Sequence, residues 1–297
     1  MAVSVCFAAL ILVFPEASLA GASSALQNWM LNVLPSLLPF FMAASLLRTS
    51  GAAAKLARIM SPLTRRLGYP PAFAYAFTVS LLTGSPSGAA AVCASYREEG
   101  FSESHARRML NAAFNASPLF MTGFVSVSIL ENPALAHYIL IPHYTAAFFI
   151  LIINARFGKK NAADTYAPAA PPLPHTVGEQ LNTAVSYSIE NILTILGFMM
   201  LYSVLISVLR SIGLPEKISM CVSGILEMTT GISDSTALPL KLRIIFINAV
   251  LGFGGLSVHS QVYAIASRNG IRPRGFALSR ILHGAAAAAI SALMLLT

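Results

Sequence analysis

Residues 81–92 read LLTGSPSGAAAV and decide the fold, because a turn motif lies inside a segment apolar enough to enter a lipid bilayer. The surrounding residues 71–96 contain no Asp, Glu, Lys or Arg. Gly and Ser at residues 84–88 permit a chain reversal, and Pro86 interrupts a helix. A turn frees backbone N–H and C=O groups, which hydrocarbon cannot satisfy. The pattern therefore predicts a re-entrant helical hairpin whose tip lies against protein or a water-filled cavity.

The composition is that of a polytopic membrane protein. Of the 297 residues, 56% are hydrophobic and 10% are charged, whereas a soluble domain carries about 25% charged residues. Several charge-poor runs also approach the roughly 20 residues that a helix needs to cross a bilayer. We therefore expect an all-α, multi-pass membrane protein surrounded by the lipid bilayer.

The formal net charge of +8 is explained by membrane topology better than by nucleic-acid binding. Fifteen of the nineteen Lys and Arg residues fall in four clusters, at residues 48–66, 97–108, 156–160 and 268–280. Basic segments that flank membrane spans face the cytoplasm. All four clusters are therefore placed on the cytoplasmic side, and nucleic acid is not expected as a partner.

The basic clusters set the topology of the first half, residues 1–160. Residues 2–14 are predicted to be a first membrane helix, with a cleaved signal peptide as the alternative because Ser18-Leu19-Ala20 resembles a cleavage site. Residues 31–47 return to the cytoplasm, and residues 51–66 suit an amphipathic helix in the membrane interface. Residues 71–96 must then fold back, since a single crossing would separate two basic clusters.

The rest of the first half continues this order. Residues 106–130 form a span that is interrupted near residues 111–118, where Pro118 removes a backbone donor. Residues 138–153 cross back to the cluster at 156–160. Residues 161–176, rich in Pro and Ala, are predicted to be a cytoplasmic linker between two halves.

The second half, residues 177–297, repeats this order with the opposite orientation. After an amphipathic approach helix at residues 176–190, its segments are a span at 191–209, a hairpin at 214–240, a span broken at 252–261 and a last span at 277–296. The sequence thus predicts two inverted repeats, each with a re-entrant helical hairpin and a broken transmembrane helix. Transporters often have this architecture, with their sites near the midplane.

Glu227 is the sharpest candidate for a functional residue. It lies in the apolar run CVSGILEMTTGIS, where a carboxylate is costly unless it faces a partner or a cavity. Thr229 and Thr230 follow it at a predicted helix break. Glu227 is expected to coordinate Na⁺, H⁺ or a ligand hydroxyl, and the alternative is a buried glutamate that locks two helices together.

Polar residues at the other breaks are further candidates. Ser85 and Ser87 place hydroxyls at the start of the second hairpin arm, where they either meet a ligand or cap their own helix. His259 and Gln261 follow a glycine-rich break, but residues two apart face different sides of a helix. A packing role for His259 therefore stays open.

No other residue pattern points to a site. His137, His143, His175 and His283 lie near predicted span ends or in the linker and are assigned no role. No hydrolase, metalloprotease or phosphate-binding motif and no clustered metal ligands occur in the sequence. Neither an enzyme nor a cofactor is expected, apart from coupling to Na⁺ or H⁺.

Five motifs resemble the sporulation integral membrane protein family called YlbJ, within the wider set of proteins with nucleoside-recognition, or Gate, domains. They are LPSLLPFF at 34–41, GSPSGA at 84–89, RRMLNAAFNASPLF at 107–120, NPAL at 132–135 and FGGLSVHSQV at 253–262. The family's first hairpin carries an aromatic residue and a Lys where this sequence has Ser85 and Ala90.

The resemblance implies a multi-pass protein of the cytoplasmic membrane of a spore-forming bacterium, tied to spore development. Gate domains are similar to the core of concentrative nucleoside transporters, where paired hairpins and broken helices hold substrate and ion. On that basis, a solute or ion site would comprise residues Ser85, Ser87, Gly88, Asn115, Ser117, Glu227, Thr229, Thr230, Gly254, Gly255, Ser257, His259 and Gln261.

Two functions follow as hypotheses. The first is a secondary transporter or channel for a small polar solute, nucleoside-like or a small anion, with the hairpins as gates. The second is a non-transporting membrane scaffold in a sporulation (spore cortex) complex, with residues 51–66 and the linker as partner surfaces. Other sporulation membrane proteins or further copies of the chain are the expected protein partners. Transport is favoured, because a scaffold has no evident need for Glu227 in the apolar interior.

Overall fold

The computed structural model describes residues 2–49, 52–156 and 176–296, and these ranges contain helices and connecting turns but no strand. Residues 161–175 of the predicted linker lie outside the described residues. The α-helices within the described ranges are α1 (Ala2–Val13), α2 (Pro15–Asn28), α3 (Leu34–Thr49), α4 (Ala52–Arg66), α5 (Phe73–Thr83), α6 (Ser85–Glu99), α7 (Glu103–Ala112), α8 (His137–Arg156), α9 (Val177–Ser211), α10 (Glu216–Leu226), α11 (Met228–Asp234), α12 (Leu240–Phe253), α13 (Gly255–Arg268) and α14 (Phe276–Met294).

Four helical segments of the described chain are long and apolar enough to cross a membrane, namely Pro133–Arg156, Val177–Ser211, Leu240–Arg268 and Phe276–Met294. A fifth candidate joins Ser4–Val13 to Pro15–Val33 across a bend of 105°. The 12 residues of α1 extend about 18 Å, less than the roughly 30 Å of a bilayer core. The all-α, multi-pass membrane fold predicted from the sequence is confirmed, and the inverted relation of the two halves stays a prediction.

A long helical stretch at the start of the chain packs antiparallel to α9. It runs from α2 through the π-helix Trp29–Val33 into α3. Trp29 donates from Nε1 to the carbonyl of Ile192 at 3.0 Å, and Gly21 lies against the backbone of Ser203. Because α9 is continuous from Val177 to Ser211, the separate approach helix predicted at residues 176–190 is part of this one helix.

Helices α5 and α6, hereafter hairpin 1, fold back on each other at Gly84. The 11 residues of α5 extend about 16 Å, half of a bilayer core. A Cβ atom on Gly88 would lie 2.4 Å from Cβ of Ser80, although residues eight apart in a straight helix are about 12 Å apart. Gly84 has a φ of 93°, which favours glycine. The chain reversal predicted at this motif is therefore present.

Helices α10 and α11, hereafter hairpin 2, fold back at Glu227, whose backbone is extended (φ −140°, ψ 115°). A Cβ atom on Gly231 would lie only 2.2 Å from Cα of Gly224 on the other arm. The reversal predicted within residues 214–240 is therefore present as well.

The two spans predicted to be broken are both interrupted. In the first broken helix, α7 ends at Ala112, residues 113–117 are unwound, and the π-helix Phe120–Ile129 follows. In the second, α12 and α13 meet at Gly254 and Gly255, which have φ angles of 88° and 67°. The second interruption is a local break, because the segment Leu240–Arg268 as a whole is still long and apolar enough to cross a membrane once.

Candidate functional site

The two hairpin tips and the two helix breaks surround one partly open cavity of about 70 Å³. One wall is apolar and comes from the packed pair of the π-helix–α3 stretch and α9. This wall contains Val33, Leu37, Phe41, Ile195 and Met199. The polar residues of the lining come from the four interruptions, which also contribute apolar residues such as Met228 and Val258. Pockets with apolar walls and a few convergent polar groups are the usual form of solute sites.

Seven of the thirteen predicted site residues line this cavity. They are Ser85, Asn115, Ser117, Glu227, Thr229, Ser257 and Gln261. These residues are separated by up to 176 positions in the sequence, and each interruption contributes at least one of them. The structure therefore brings together polar side chains from both halves of the chain.

Three of the other six predicted residues are glycines that pack against backbone or rings instead of lining the cavity. Gly88 lies against Ser80 and against the carbonyl of Ala113, and Gly255 lies against the backbone of Met228. Gly254 lies against the ring of Phe114, 2.4 Å from where its Cβ would stand. Their role in the structure is to let the hairpins and the broken helices approach each other.

The remaining three predicted residues also lie outside the cavity lining. Ser87 is buried in α6, and Thr230 contacts the cavity only through Glu227. His259 donates from Nε2 to the carbonyl of Phe253 at 2.8 Å and packs among Phe114, Phe253 and Phe276. Since α13 is a regular helix, Gln261 faces the cavity and His259 does not.

Glu227 is 1% exposed and accepts five hydrogen bonds from neutral donors. Four of them come from the start of α11: the backbone N–H groups of Thr229 (3.2 Å) and Thr230 (2.7 Å), and the hydroxyls of both threonines. The fifth comes from the hydroxyl of Ser257 on α13, at 3.5 Å. Glu227 therefore caps its own helix and also joins hairpin 2 to the second broken helix.

In the unwound segment of the first broken helix, Asn115 and Ser117 together do what Glu227 does in hairpin 2: they cap a helix and join a hairpin to a broken helix. Asn115 donates from Nδ2 to Oγ of Ser80 in hairpin 1 at 2.7 Å. The hydroxyl of Ser117 accepts from the backbone N–H of Phe120 at 3.2 Å, which caps the helix that follows. Each hairpin is thus bonded to one broken helix at the edge of the cavity.

Two polar side chains at the cavity are not used by these contacts. Gln261 is 4% exposed and Ser85 is 5% exposed. Neither the amide of Gln261 nor the hydroxyl of Ser85 has a hydrogen-bond partner in the described part of the chain, and both residues line the cavity. Ser85 is the first residue of α6, where the backbone N–H groups also lack intrahelical acceptors. Buried polar groups of this kind are normally paired, so they are the groups most suited to a solute.

Arg280 does not line the cavity but holds the unwound segment beside it, and sequence reasoning missed this role because Arg280 was grouped with the cytoplasmic cluster at 268–280. It is 0% exposed on α14 and donates to the carbonyls of Asn111 (2.7 Å) and Phe114 (2.8 Å). These carbonyls have lost their helical partners at the break after α7. In a bilayer they need another donor, and the Arg280 guanidinium supplies it.

His143 and His283 were also assigned no role, yet both are fully buried beside the same break. The backbone N–H of Ala116 donates to Nε2 of His143 at 3.0 Å. His283 accepts from Arg280 at Nδ1 (3.0 Å) and donates from Nε2 to the carbonyl of His143 (3.0 Å). One sequence signal was available: Arg280 and His283 are three residues apart within a predicted span, and so share a helix face.

These features define a multi-pass membrane protein with a largely apolar cavity, carrying a few polar side chains, between paired hairpins and broken helices. The family model for Gate, described as nucleoside recognition, matches residues 30–160. The chain is similar to the sporulation integral membrane protein YlbJ of Bacillus subtilis (strain 168), with 27% identity over 312 residues that cover 92% of this chain and 76% of the relative. No solved structure matches the chain.

The two comparisons confirm the resemblance that the five sequence motifs indicated. The chain is an integral membrane protein with a Gate domain, related to sporulation membrane proteins of the YlbJ type. The Gate match covers the helices from α3 to α8, and thus hairpin 1 and the first broken helix.

Proposed function

We propose that the protein is a secondary transporter or channel that moves a small polar solute, nucleoside-like or a small anion, across the membrane during spore development. The observation that carries this proposal is the convergence of four chain interruptions, each with a polar side chain, on one largely apolar cavity. Interrupted helices cost backbone hydrogen bonds in a bilayer and occur where they line a path for solute or ion. The name of the relative supports the sporulation context.

Ser85 and Gln261 are the proposed solute contacts. Their polar groups have no partner in the described residues, whereas Ser117, Glu227 and the Nδ2 group of Asn115 are engaged in holding the hairpins and broken helices. The Oδ1 atom of Asn115 is buried without a partner in the described residues at the same cavity and is a third group open to a solute. A solute that supplies hydrogen bonds to an amide and a hydroxyl satisfies both. The apolar wall opposite suits the less polar side of such a solute.

The Glu227 cluster is the proposed site for a coupling ion. Its carboxylate and the hydroxyls of Thr229, Thr230 and Ser257 are all oxygens, the ligands that hard cations such as Na⁺ use. Each hydroxyl can turn its lone pairs toward a cation instead of donating to the carboxylate. A proton on Glu227 is the other way in which this cluster couples transport to an ion gradient.

The test is uptake by the purified full chain in proteoliposomes, with a panel of labelled nucleosides and small carboxylates and with Na⁺ or pH gradients. Gln261→Leu and Ser85→Ala are expected to reduce uptake at least tenfold while leaving the melting temperature unchanged. Glu227→Gln is expected to abolish the dependence on the ion gradient. Gln27→Leu is the matched control, because Gln27 is exposed on α2.

The proposal fails if no gradient drives any member of the panel, or if a solute is transported equally by wild type, Gln261→Leu and Ser85→Ala. Either result favours the membrane scaffold, for which the polar residues of the cavity have no transport role.

A further inference from the structure

Helix α4 has a basic face that no other part of the described chain covers. Its exposed residues form one stripe, which contains Lys55, Arg58, Ile59, Pro62, Arg65 and Arg66. The helix has no Asp or Glu. Ion pairs within the described ranges join Arg107 to Glu103 and Arg210 to Asp234, and none of them involves α4. Four positive charges, from Lys55 to Arg66, therefore face outward along about 17 Å of helix.

The opposite face of α4 packs on an apolar cluster of the protein interior. Ala57 and Thr64 are buried, and Met60 and Leu63 pack on the apolar cluster around Tyr69, Phe73 and Phe77. Phe73 and Phe77 belong to the first arm of hairpin 1. The helix thus lies beside hairpin 1 with its basic stripe turned away from it.

One apolar residue stands within the basic stripe. Ile59 is 68% exposed and directly follows Arg58. A basic helix face that also carries an exposed apolar side chain matches the boundary between headgroups and acyl chains, where charge and apolar surface are both accommodated. An acidic protein surface would match the charges but would leave Ile59 against polar groups.

We propose that the stripe of Lys55, Arg58, Arg65 and Arg66 binds anionic phospholipid headgroups of the cytoplasmic leaflet, and that this contact holds α4 against hairpin 1. The leaflet's negative surface potential attracts basic segments close to the membrane. Bound headgroups stabilise only the folded arrangement in which the four charges form one stripe. Anionic lipid therefore stabilises the protein beyond the effect of the bilayer itself.

The experiment measures thermal unfolding of the purified full chain in neutral detergent with added phosphatidylglycerol or phosphatidylcholine. Phosphatidylglycerol is expected to raise the melting temperature by about 5 °C, and phosphatidylcholine is not. The variant K55Q/R58Q/R65Q/R66Q is expected to lose this rise while melting like wild type in detergent alone. If it does not fold, K55Q/R58Q and R65Q/R66Q are each expected to lose about half of the rise.

A matched control is R268Q/R272Q/R274Q, which removes exposed basic residues of another predicted cytoplasmic segment and is expected to keep the full rise. Three results would overturn the proposal: equal effects of the two lipids, an unchanged rise in the α4 variants, or the same rise with soluble glycerol phosphate. The last result would assign the stripe to a free phosphate compound.

Discussion

Arg280 donates to the backbone carbonyl of Phe114 at 2.8 Å and also lies over the Phe114 ring, 4.6 Å from its centre. The same ring abuts Gly254 at the break of the second broken helix. A cation on α14 thus fixes the unwound segment of one half, and that segment in turn contacts the break of the other half. The geometry of the cavity depends on this chain of three contacts.

Removal of the Arg280 donors is expected to destabilise the protein strongly. Arg280→Met leaves the carbonyl of Phe114 buried without a partner, at about 1–3 kcal/mol, and leaves the carbonyl of Asn111 with the hydroxyl of Ser279 as its remaining donor. Arg280→Lys is expected to be intermediate, because one ammonium cannot reproduce the planar fork that reaches both carbonyls. Thermal unfolding gives the stability, and hydrogen exchange of residues 113–117 reports the local effect. Arg274→Met, at an exposed position, serves as the control and should leave both readings unchanged.

His143 is expected to act through the acceptor it offers to Ala116. His143→Leu leaves the Ala116 N–H unpaired in the interior and should increase hydrogen exchange at that amide by about tenfold or more. His143→Gln keeps an acceptor and should restore part of the protection. Equal exchange in the wild type and His143→Leu would show that Ala116 is held by other contacts. His137→Leu, at an exposed histidine, is the control.

The glycines between the hairpin arms are expected to tolerate no side chain. Gly231→Ala places a Cβ 2.2 Å from Gly224 Cα, and Gly88→Ala places one 2.4 Å from Ser80 Cβ. Overpacking of this kind costs about 1–3 kcal/mol or more, so both variants should melt at lower temperature and show reduced folded yield. Gly197→Ala, with no atom within 4 Å of its Cβ, should be neutral or stabilising. Similar melting of all three variants would contradict the close packing of the arms.

Both ends of each hairpin are expected to lie on the same side of the membrane. In a background without Cys6, Cys93 and Cys221, single cysteines replace exposed residues at the hairpin ends and are labelled with an impermeant thiol reagent. The replaced residues are Arg66 and Glu98 for hairpin 1, and Lys217 and Thr236 for hairpin 2. The first pair should label from the cytoplasm and the second from outside. Opposite labelling within a pair would make that hairpin a crossing span, and labelling of all four from one side would reject the inverted repeat.

The interruptions were predictable because their signals are local. Gly84 and Gly254 stand inside apolar runs where a regular helix would otherwise continue, and a turn residue in such a run has few structural explanations. Glu227 is recognisable for a similar reason, since a carboxylate in an apolar segment needs partners. The contacts of these residues are not local, so the sequence left the locking of two helices by Glu227 as one of two alternatives, and it did not predict that Glu227 caps α11.

Arg280 and His283, which hold the unwound segment beside the cavity, could not be predicted from the sequence in the same way. Arg280 bonds to residues 166 and 169 positions away, and His283 to one 140 positions away. Near a predicted span end, a buried arginine and a cytoplasmic anchor have the same local pattern. The inclusion of Ser87 and His259 in the site has a related cause, because which face of a helix meets a cavity is set by tertiary packing.

The contact of Gly224 with Gly231, and of Ser80 with Gly88, leaves no gap between the two arms of either hairpin. A solute in the cavity therefore cannot pass between the two arms of a hairpin. An opening on either side of the membrane requires a whole hairpin to move as one rigid body. Such a displacement breaks the bonds of Asn115 to Ser80 and of Ser257 to Glu227. It also breaks the bond of Tyr144 to the Leu81 carbonyl for hairpin 1, and the bonds of Arg210 to Ser223 and Asp234 for hairpin 2. Opening therefore costs several polar contacts at once.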